Sequence, residues 1–379
     1  MQKAWFILLV WLFCVSAWAQ ELTLQGRVVD VETGEPLPFA SIHVGEGGGT
    51  LTNSEGDFRL TASPQDVLTF SFVGFERLSL QACEVPSRIM LKPFERTLQE
   101  LVVVPQDALG TVARVIKNLR RDFSGHKKDR QGYFMRTLLS DRKDSYLIES
   151  LMGWGAAVNL REGETFSGIF GMNAEGEKSS IMLRLTNIHH MAEIGPSAFM
   201  SSYWEQAVKP LYSPSMARKY YDVGLETRSG EMGEKLYRIT FQLKNKVAKK
   251  LGNRRCLTGT AFVDAETLRL LRFEGEVGNA YQSVNLNRLP TAIRFHVNYD
   301  YSRGFASVGN IAVQGGNEEM SYKSLLFGIQ ADSLVAAGGG FLGDNLIDAL
   351  NNAGRNSTLW EKYNIVARTK EEERIAFGE

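Results

Sequence analysis

The residues best suited to chemistry are few and scattered. His43 and Glu46 stand at His-x-x-Glu spacing, an imidazole and a carboxylate of the kind zinc accepts. A catalytic zinc site needs three protein ligands and an open position for water, and the neighbouring residues supply no third. His189 and His190 are adjacent, so in helix or strand they point to different faces. Only His190 and Glu193, at i and i+3, would share a helical face. No His-Glu-x-x-His motif occurs. His296, between Arg294 and Asn298, falls on the polar side of an alternating strand, which predicts exposure and a shallow ligand patch at most.

Nucleophiles fare no better. Gly-x-Ser-x-Gly is absent, and Ser124-Gly-His-Lys127 has Ser-x-x-Lys spacing in what reads as a polar loop. The glycine runs 47–49 and 338–340 do not lead from a strand into a helix as a phosphate cradle does. No complete catalytic constellation, metal set or cofactor motif emerges, and no cofactor is expected. What remains is aromatic. Trp154, Tyr203, Trp204, Tyr212, Tyr220 and Tyr221 gather in a Pro- and Gly-containing middle without clean periodicity. They read either as the core of a domain or as a binding surface on which sugars or a protein would pack.

The elements around these residues are mostly strands. Arg27 to Val31 reads as a strand, Glu32 to Pro38 is a turn, and Phe39 to Val44 places Ala40, Ile42 and Val44 opposite Ser41 and His43. The glycine-rich run 45–49 is expected to hold no regular element. Asn53 to Gly56 is a turn with Gly56 available for positive φ. Phe58 and Leu60, then Leu68, Phe70 and Phe72, resume period two, and Ile89 to Pro93 ends the block. Short strands at this spacing predict an antiparallel β-sandwich over 20–93.

That block resembles the carboxypeptidase regulatory-like domain, a transthyretin-like sandwich. The resemblance rests on Gly26-Arg-Val-Val-Asp30, Thr33 to Ile42, Thr52-Asn-Ser-Glu-Gly-Asp-Phe58 and Phe72-Val-Gly-Phe75. It implies an accessory module without catalytic residues, of a kind that precedes Gram-negative envelope proteins including TonB-dependent receptors. Over 94–106, Thr97-Leu-Gln-Glu-Leu-Val-Val-Val-Pro105 resembles the segment that joins such a sandwich to a receptor plug, where it acts as a TonB-contacting strand. Leu98, Glu100, Leu101, Val102, Val103 and Val104 are therefore candidate partner-strand residues. A connecting strand that pairs with a neighbouring domain is the reading preferred for this segment.

Targeting and composition set the compartment. Lys3, the apolar run Ala4 to Val15 and Ala17-Trp-Ala19 form a signal peptide over 1–19, too short for the roughly 20 residues of a membrane span. The bulky Phe13 before Cys14 argues against lipidation. An exported protein of the periplasm or outer membrane is implied. Lysine plus arginine equal aspartate plus glutamate at 43 each, which leaves no footprint for nucleic acid. After signal removal Cys83 and Cys256 remain, and two buried thiols are expected rather than a disulfide.

From 107 to 379 an α+β domain on a curved antiparallel sheet is predicted. Asp107 would cap a helix whose Leu109, Val112, Val115, Ile116 and Leu119 recur at helical spacing, with a basic, solvated end at Arg120, Arg121, Lys127 and Lys128. Gly132–Thr137, Tyr146–Leu151, Tyr237–Leu243, Gly259–Asp264, Leu268–Glu276 and Ile293–Tyr301 read as strands with one solvated face. The stretch 244–255 reads as a basic hairpin loop, and 345–352 as a helix. Tyr133-Phe-Met-Arg-Thr137, Gly259 to Asp264 and Trp360 to Ile365 also resemble the second half of exported carboxypeptidase-regulatory-like proteins.

The fold class is thus mainly β with some α. The function expected is a non-enzymatic envelope protein that binds or assembles a protein or glycan, with an exported metallopeptidase-type hydrolase as the alternative. Metal analysis of the purified protein separates the two. We expect no stoichiometric zinc; zinc lost on His189→Ala would favour the hydrolase.

Overall fold

The computed structural model describes residues 21–45, 48–96, 108–141, 145–158, 164–175, 195–244, 247, 256–284, 287–316, 320–329 and 366–377. The signal-like start, the linker residues Leu98 to Val104, Asp107, Glu46, His189, His190, and the ranges 345–352 and 360–365 lie outside them. So does most of the basic loop 244–255. The chain divides into two compact units, one over 1–93 with 365–369 and one over 94–364 with 370–379.

The first unit is a β-sandwich. One sheet sets β1 (Leu22–Asp30) between β4 (Asp57–Ala62) and β7 (Arg88–Leu91). The other has the order β3 (Gly48–Leu51), β2 (Ser41–Val44), β5 (Val67–Ser71), β6 (Leu78–Gln81). Period-two alternation buries Val28, Ile42, Phe58, Leu68, Phe70 and Ile89 in one core, with Phe58 edge-on to Phe70 at 5.6 Å. Two details depart from expectation. Phe39 is not in a strand: it turns the chain at φ 60°, and β2 begins at Ser41. The glycine run does hold an element, because Gly48–Leu51 pairs with β2. A Cβ on Gly49 would come within 2.4 Å of the Ile42 carbonyl oxygen, so glycine is what allows that close pairing.

The Thr-Asn-Ser-Glu-Gly-Asp-Phe motif is explained by its hydrogen bonds. Buried Thr52 accepts from Ala40 N–H at 2.8 Å and donates to Leu37 O at 2.6 Å. Buried Asn53 Oδ1 accepts from Glu55 N and Asp57 N, both at 2.9 Å, and Gly56 takes φ 77°. Cys83 is exposed and unpaired, not the buried thiol expected, because it sits in a one-turn helix at the sandwich surface, 82–84.

The second unit is built on one sheet of eleven strands among the described residues. β12 (Tyr221–Ser229), β13 (Lys235–Leu243), β14 (Cys256–Asp264), β15 (Leu270–Val284), β16 (Asn287–Asp300), β17 (Ser307–Gly316) and β18 (Met320–Ile329) form an antiparallel meander. β18 then pairs with β9 (Gln131–Asp141), which continues to β10 (Ser145–Trp154) and β11 (Glu164–Glu175). At the far edge β8 (Glu95–Arg96) adds to β12. Alternation sends Tyr133, Phe273, Phe295, Ile311 and Leu326 to one face. There they merge with Val112, Val115, Ile116 and Leu119 of the helix Ala108–Gly125 into a single core.

The opposite face is not uniformly solvated, contrary to the one-sided pattern expected. On β9, β10 and β18 it carries Phe134, Leu138, Leu147, Leu325 and Phe327, all buried, and the helix Lys370–Phe377 packs on β10 and β11. Arg136 lies beneath that helix. Its Nε donates to Glu149 Oε1 at 2.6 Å with both side chains fully buried, and its Nη1 lies 3.5 Å from Glu372 Oε2. A charge so far from water requires such partners.

Replacing Thr52 with valine keeps the shape but strands a buried N–H and a buried carbonyl. We expect a loss of about 1–3 kcal/mol in the sandwich's unfolding transition, measured by calorimetry of the whole chain; an unchanged transition would remove Thr52 from this role.

Candidate functional site

The aromatic residues singled out above divide by burial. Trp154 is 1% exposed and stands edge-on to Tyr133, with centroids 6.0 Å apart. Tyr221 is 2% exposed, and its Oη accepts from Leu257 N–H at 3.2 Å. These two are core, because apolar strand neighbours surround them, and they cannot offer a flat exposed face to a sugar. Tyr220 is half-buried, with Lys219 Nζ 5.8 Å from its ring centroid. Tyr203 lies in the helical stretch Phe199–Trp204; its side chain falls outside the description.

Trp204 and Tyr212 belong together. The irregular helical stretch from 195 to 212 lies over the inner face of the sheet, and Trp204 packs edge-on against Phe273 and Phe295 at 5.0 and 5.6 Å. Across from it runs the helix Ala108–Gly125, whose apolar stripe continues past Leu119 to Phe123. Between the two is a cavity of about 200 Å³. Ile116, Leu119 and Phe123 line it from the helix; Met200, Trp204 and Val208 line it from the other side. Arg120, Ser124, Lys127, Ala157, Ser201, Glu205 and Tyr212 complete the lining.

The mouth is held by specific contacts. The guanidinium of Arg120 lies over the Tyr212 ring, 4.1 Å from its centroid. Burial pushes the Tyr212 hydroxyl pKa up, with Arg120 opposing and Glu205 adding to the rise, so the phenol stays protonated at neutral pH. Behind the helix end, Ala156 N–H donates to His126 O at 3.4 Å and Ala306 N–H to Asp122 Oδ2 at 3.0 Å. Gly155 passes so close that a Cβ there would meet the Lys127 carbonyl oxygen at 2.2 Å. That approach brings Ala157 to the cavity wall.

Ser124 therefore sits in the last turn of a helix, not in a free loop, and both Ser124 and Lys127 reach the cavity. The sequence marked Arg120 and Lys127 only as a solvated basic end. The continuing apolar stripe, Leu119 then Phe123 at i+4, was the available signal that this end lines something.

The histidines resolve differently from their patterns. His43 is exposed, with Nε2 3.0 Å from Ser41 Oγ. His296 is buried, correcting its expected exposure, because it is enclosed among polar neighbours of the sheet's other face. Its Nδ1 lies 3.2 Å from Glu274 Oε2 and its Nε2 3.2 Å from Asn298 Oδ1. Arg272, also buried, stacks over Phe262 at 4.0 Å and reaches Glu274 at 3.3 Å. Burial lowers the His296 pKa, and Glu274 only partly restores it. For Glu274, burial raises the pKa, but Arg272 and His296 outweigh it and bring the carboxyl down to about 2. Among the described residues, no group of three or more His, Cys, Asp or Glu is placed to hold a metal.

Comparison with known proteins adds to this geometry. The family model described as CarboxypepD_reg-like domain matches residues 24–103, so the first unit carries that domain. The TonB-dependent receptor SusC of Bacteroides thetaiotaomicron shares it, at 35% identity over 91 residues. Those residues are 24% of this chain and 9% of the receptor, so the chain spans under a tenth of that relative's length. Among solved structures, a DUF1329 family protein from Desulfovibrio piger aligns at 10% identity and TM-score 0.23, over 58% of this chain and 92% of that one. A domain described as an outer membrane lipoprotein-sorting protein, from Vibrio parahaemolyticus, aligns at 10% identity and TM-score 0.22, over 61% and 100%. Superpositions this loose establish neither a common fold nor a common role. None of the described helices is long and apolar enough to cross a membrane.

The His296 cluster sets a pH dependence. A buried imidazole with a lowered pKa binds fewer protons when folded, so its stability contribution is intact above the ordinary histidine range and lost as pH falls below about 6.5. The Glu274 contribution is present above the ordinary carboxylate range and lost only as pH falls towards 2. We expect the thermal midpoint to fall between pH 7 and 5, and His296→Gln to flatten that slope; an unchanged slope would assign it elsewhere.

Proposed function

We propose that this chain is an exported, non-enzymatic protein of the Gram-negative envelope that works as a binding or assembly module at the periplasm or outer membrane. The observation that carries the reading is the first unit. The same sandwich stands in a TonB-dependent receptor, and its motif residues here serve turns and core, with Thr52 and Asn53 spent on backbone hydrogen bonds. The signal-like start agrees with export.

Of the two partner classes weighed, a protein is favoured over a glycan. Trp154 and Tyr221 are committed to the core, whereas Leu98 to Val104 has the composition of a strand able to add to another sheet. The test is affinity capture of the tagged full chain from gently solubilised envelopes, beside Leu101→Pro and Val103→Pro variants. Proline removes the N–H that strand addition needs. An envelope protein captured by wild type and lost in both folded variants is expected. Equal capture by all three would reject the strand, and recovery from the cytosol alone would reject the compartment.

A further inference from the structure

The cavity of the second unit has a chemistry more specific than binding in general. Its depth is apolar: Leu119, Val208 and Trp204 are almost wholly buried, and Phe123 and Met200 close the wall. Its mouth is cationic. Arg120 and Lys127 are both exposed there, against the single carboxylate of Glu205. We propose that this cavity is a binding site for a soluble single-chain amphiphile, with its apolar tail inside and an anionic head at Arg120 and Lys127.

Size and charge both limit the occupant. A dry apolar cavity of roughly 150 Å³ is enough for benzene, so about 200 Å³ takes a short alkyl chain or one ring. A longer chain would run out through the mouth. A sugar could meet Ser124, Ser201 and Tyr212, but its hydroxyls facing Leu119, Phe123 and Val208 would be left without partners, at the cost of desolvation. A cationic amphiphile would meet two like charges and one opposite charge. A neutral one would fill the depth but gain nothing at the rim. Arg120 is also restrained, because its guanidinium is already stacked on Tyr212, so less side-chain freedom is lost when an anion arrives. The medium-chain carboxylates are the simplest ligands that satisfy every one of these conditions.

The inference goes beyond the assembly reading and does not depend on it: the site lies wholly in the second unit and uses neither the strand Leu98 to Val104 nor a protein partner. Failed capture from envelopes leaves it standing, and failed ligand binding leaves the assembly reading standing.

The experiment is titration calorimetry of the full chain with hexanoate, octanoate and decanoate, each below its micelle concentration. Decanol, decyltrimethylammonium and phosphatidylglycerol vesicles are the comparison ligands. One-to-one binding of the carboxylates is expected, with affinity rising about fourfold per added methylene, the fold-change for about 0.8 kcal/mol, until the cavity is full. Arg120→Gln with Lys127→Gln, both on the surface, should weaken decanoate at least tenfold and leave decanol unchanged, while Glu205→Gln should tighten decanoate. Met200→Trp should block both by filling the space, and the charge variants decide the matter if it does not fold. Absence of saturable decanoate binding overturns the proposal, as does decanoate affinity indifferent to the double substitution. Binding to vesicles without binding to free carboxylate would assign the cations to a lipid surface and overturn it as well.

Discussion

The second unit depends on one constraint: its sheet, eleven strands wide among the described residues, has an apolar face that no single helix can span. Strands from β9 to β18 send Tyr133, Phe273, Phe295 and Ile311 to that face, and two separate helical pieces, 108–125 and 195–220, share the task of covering it. Burial of this kind is the largest favourable contribution to folding. Where two covering pieces meet without interdigitating fully, space is left over, and the cavity bounded by Leu119 and Trp204 is that seam. The site is thus a by-product of the cover being made in two parts, tuned at its rim by Arg120, Lys127 and Glu205.

The other face follows a different logic. Removing Arg136 and Glu149 from water costs more than their attraction returns unless the geometry is close, and here the contact is 2.6 Å with Glu372 adding a second carboxylate. Such a cluster contributes little net stability, but it tolerates few alternatives. The helix Lys370–Phe377 buries Ile375 and Ala376, and from the same helix Glu372 reaches Arg136. Lys323 with Glu371, at 3.4 Å, marks the same register from the exposed side.

Much of this was legible in the chain. Period two marked the strands of both units, and period 3.6 marked the long helix, since both are consequences of which side chains meet a core. The sandwich was readable because turn residues such as Gly56 have few conformational substitutes. What escaped had physical reasons. Gly48–Leu51 looked irregular because glycine is read as a breaker, yet a close approach of two strands demands it at Gly49. His296 looked exposed because alternation reports only which face a residue occupies, and a second face can be buried too. The aromatics Trp154 and Tyr221 have the same composition in a core as in a binding surface; only three-dimensional packing tells the two apart. The cationic rim was invisible because a helix's basic end is ordinarily solvated.

The pairing of β18 with β9 carries a consequence in time. Thr137 and Ser324, whose hydroxyls meet across these strands at 2.5 Å, are 187 residues apart. Every strand of the meander from β12 to β17 lies between them in the chain, so the β9–β11 end of the sheet cannot join the meander until all of them exist. Contacts at such separation are formed late and slowly, because the entropy of closing the loop comes before the reward of pairing. Until then β9 and β18 each present an unpaired backbone edge, the feature by which β-rich chains aggregate. Chaperoning during maturation would therefore matter most for the interval before β9 and β18 have paired.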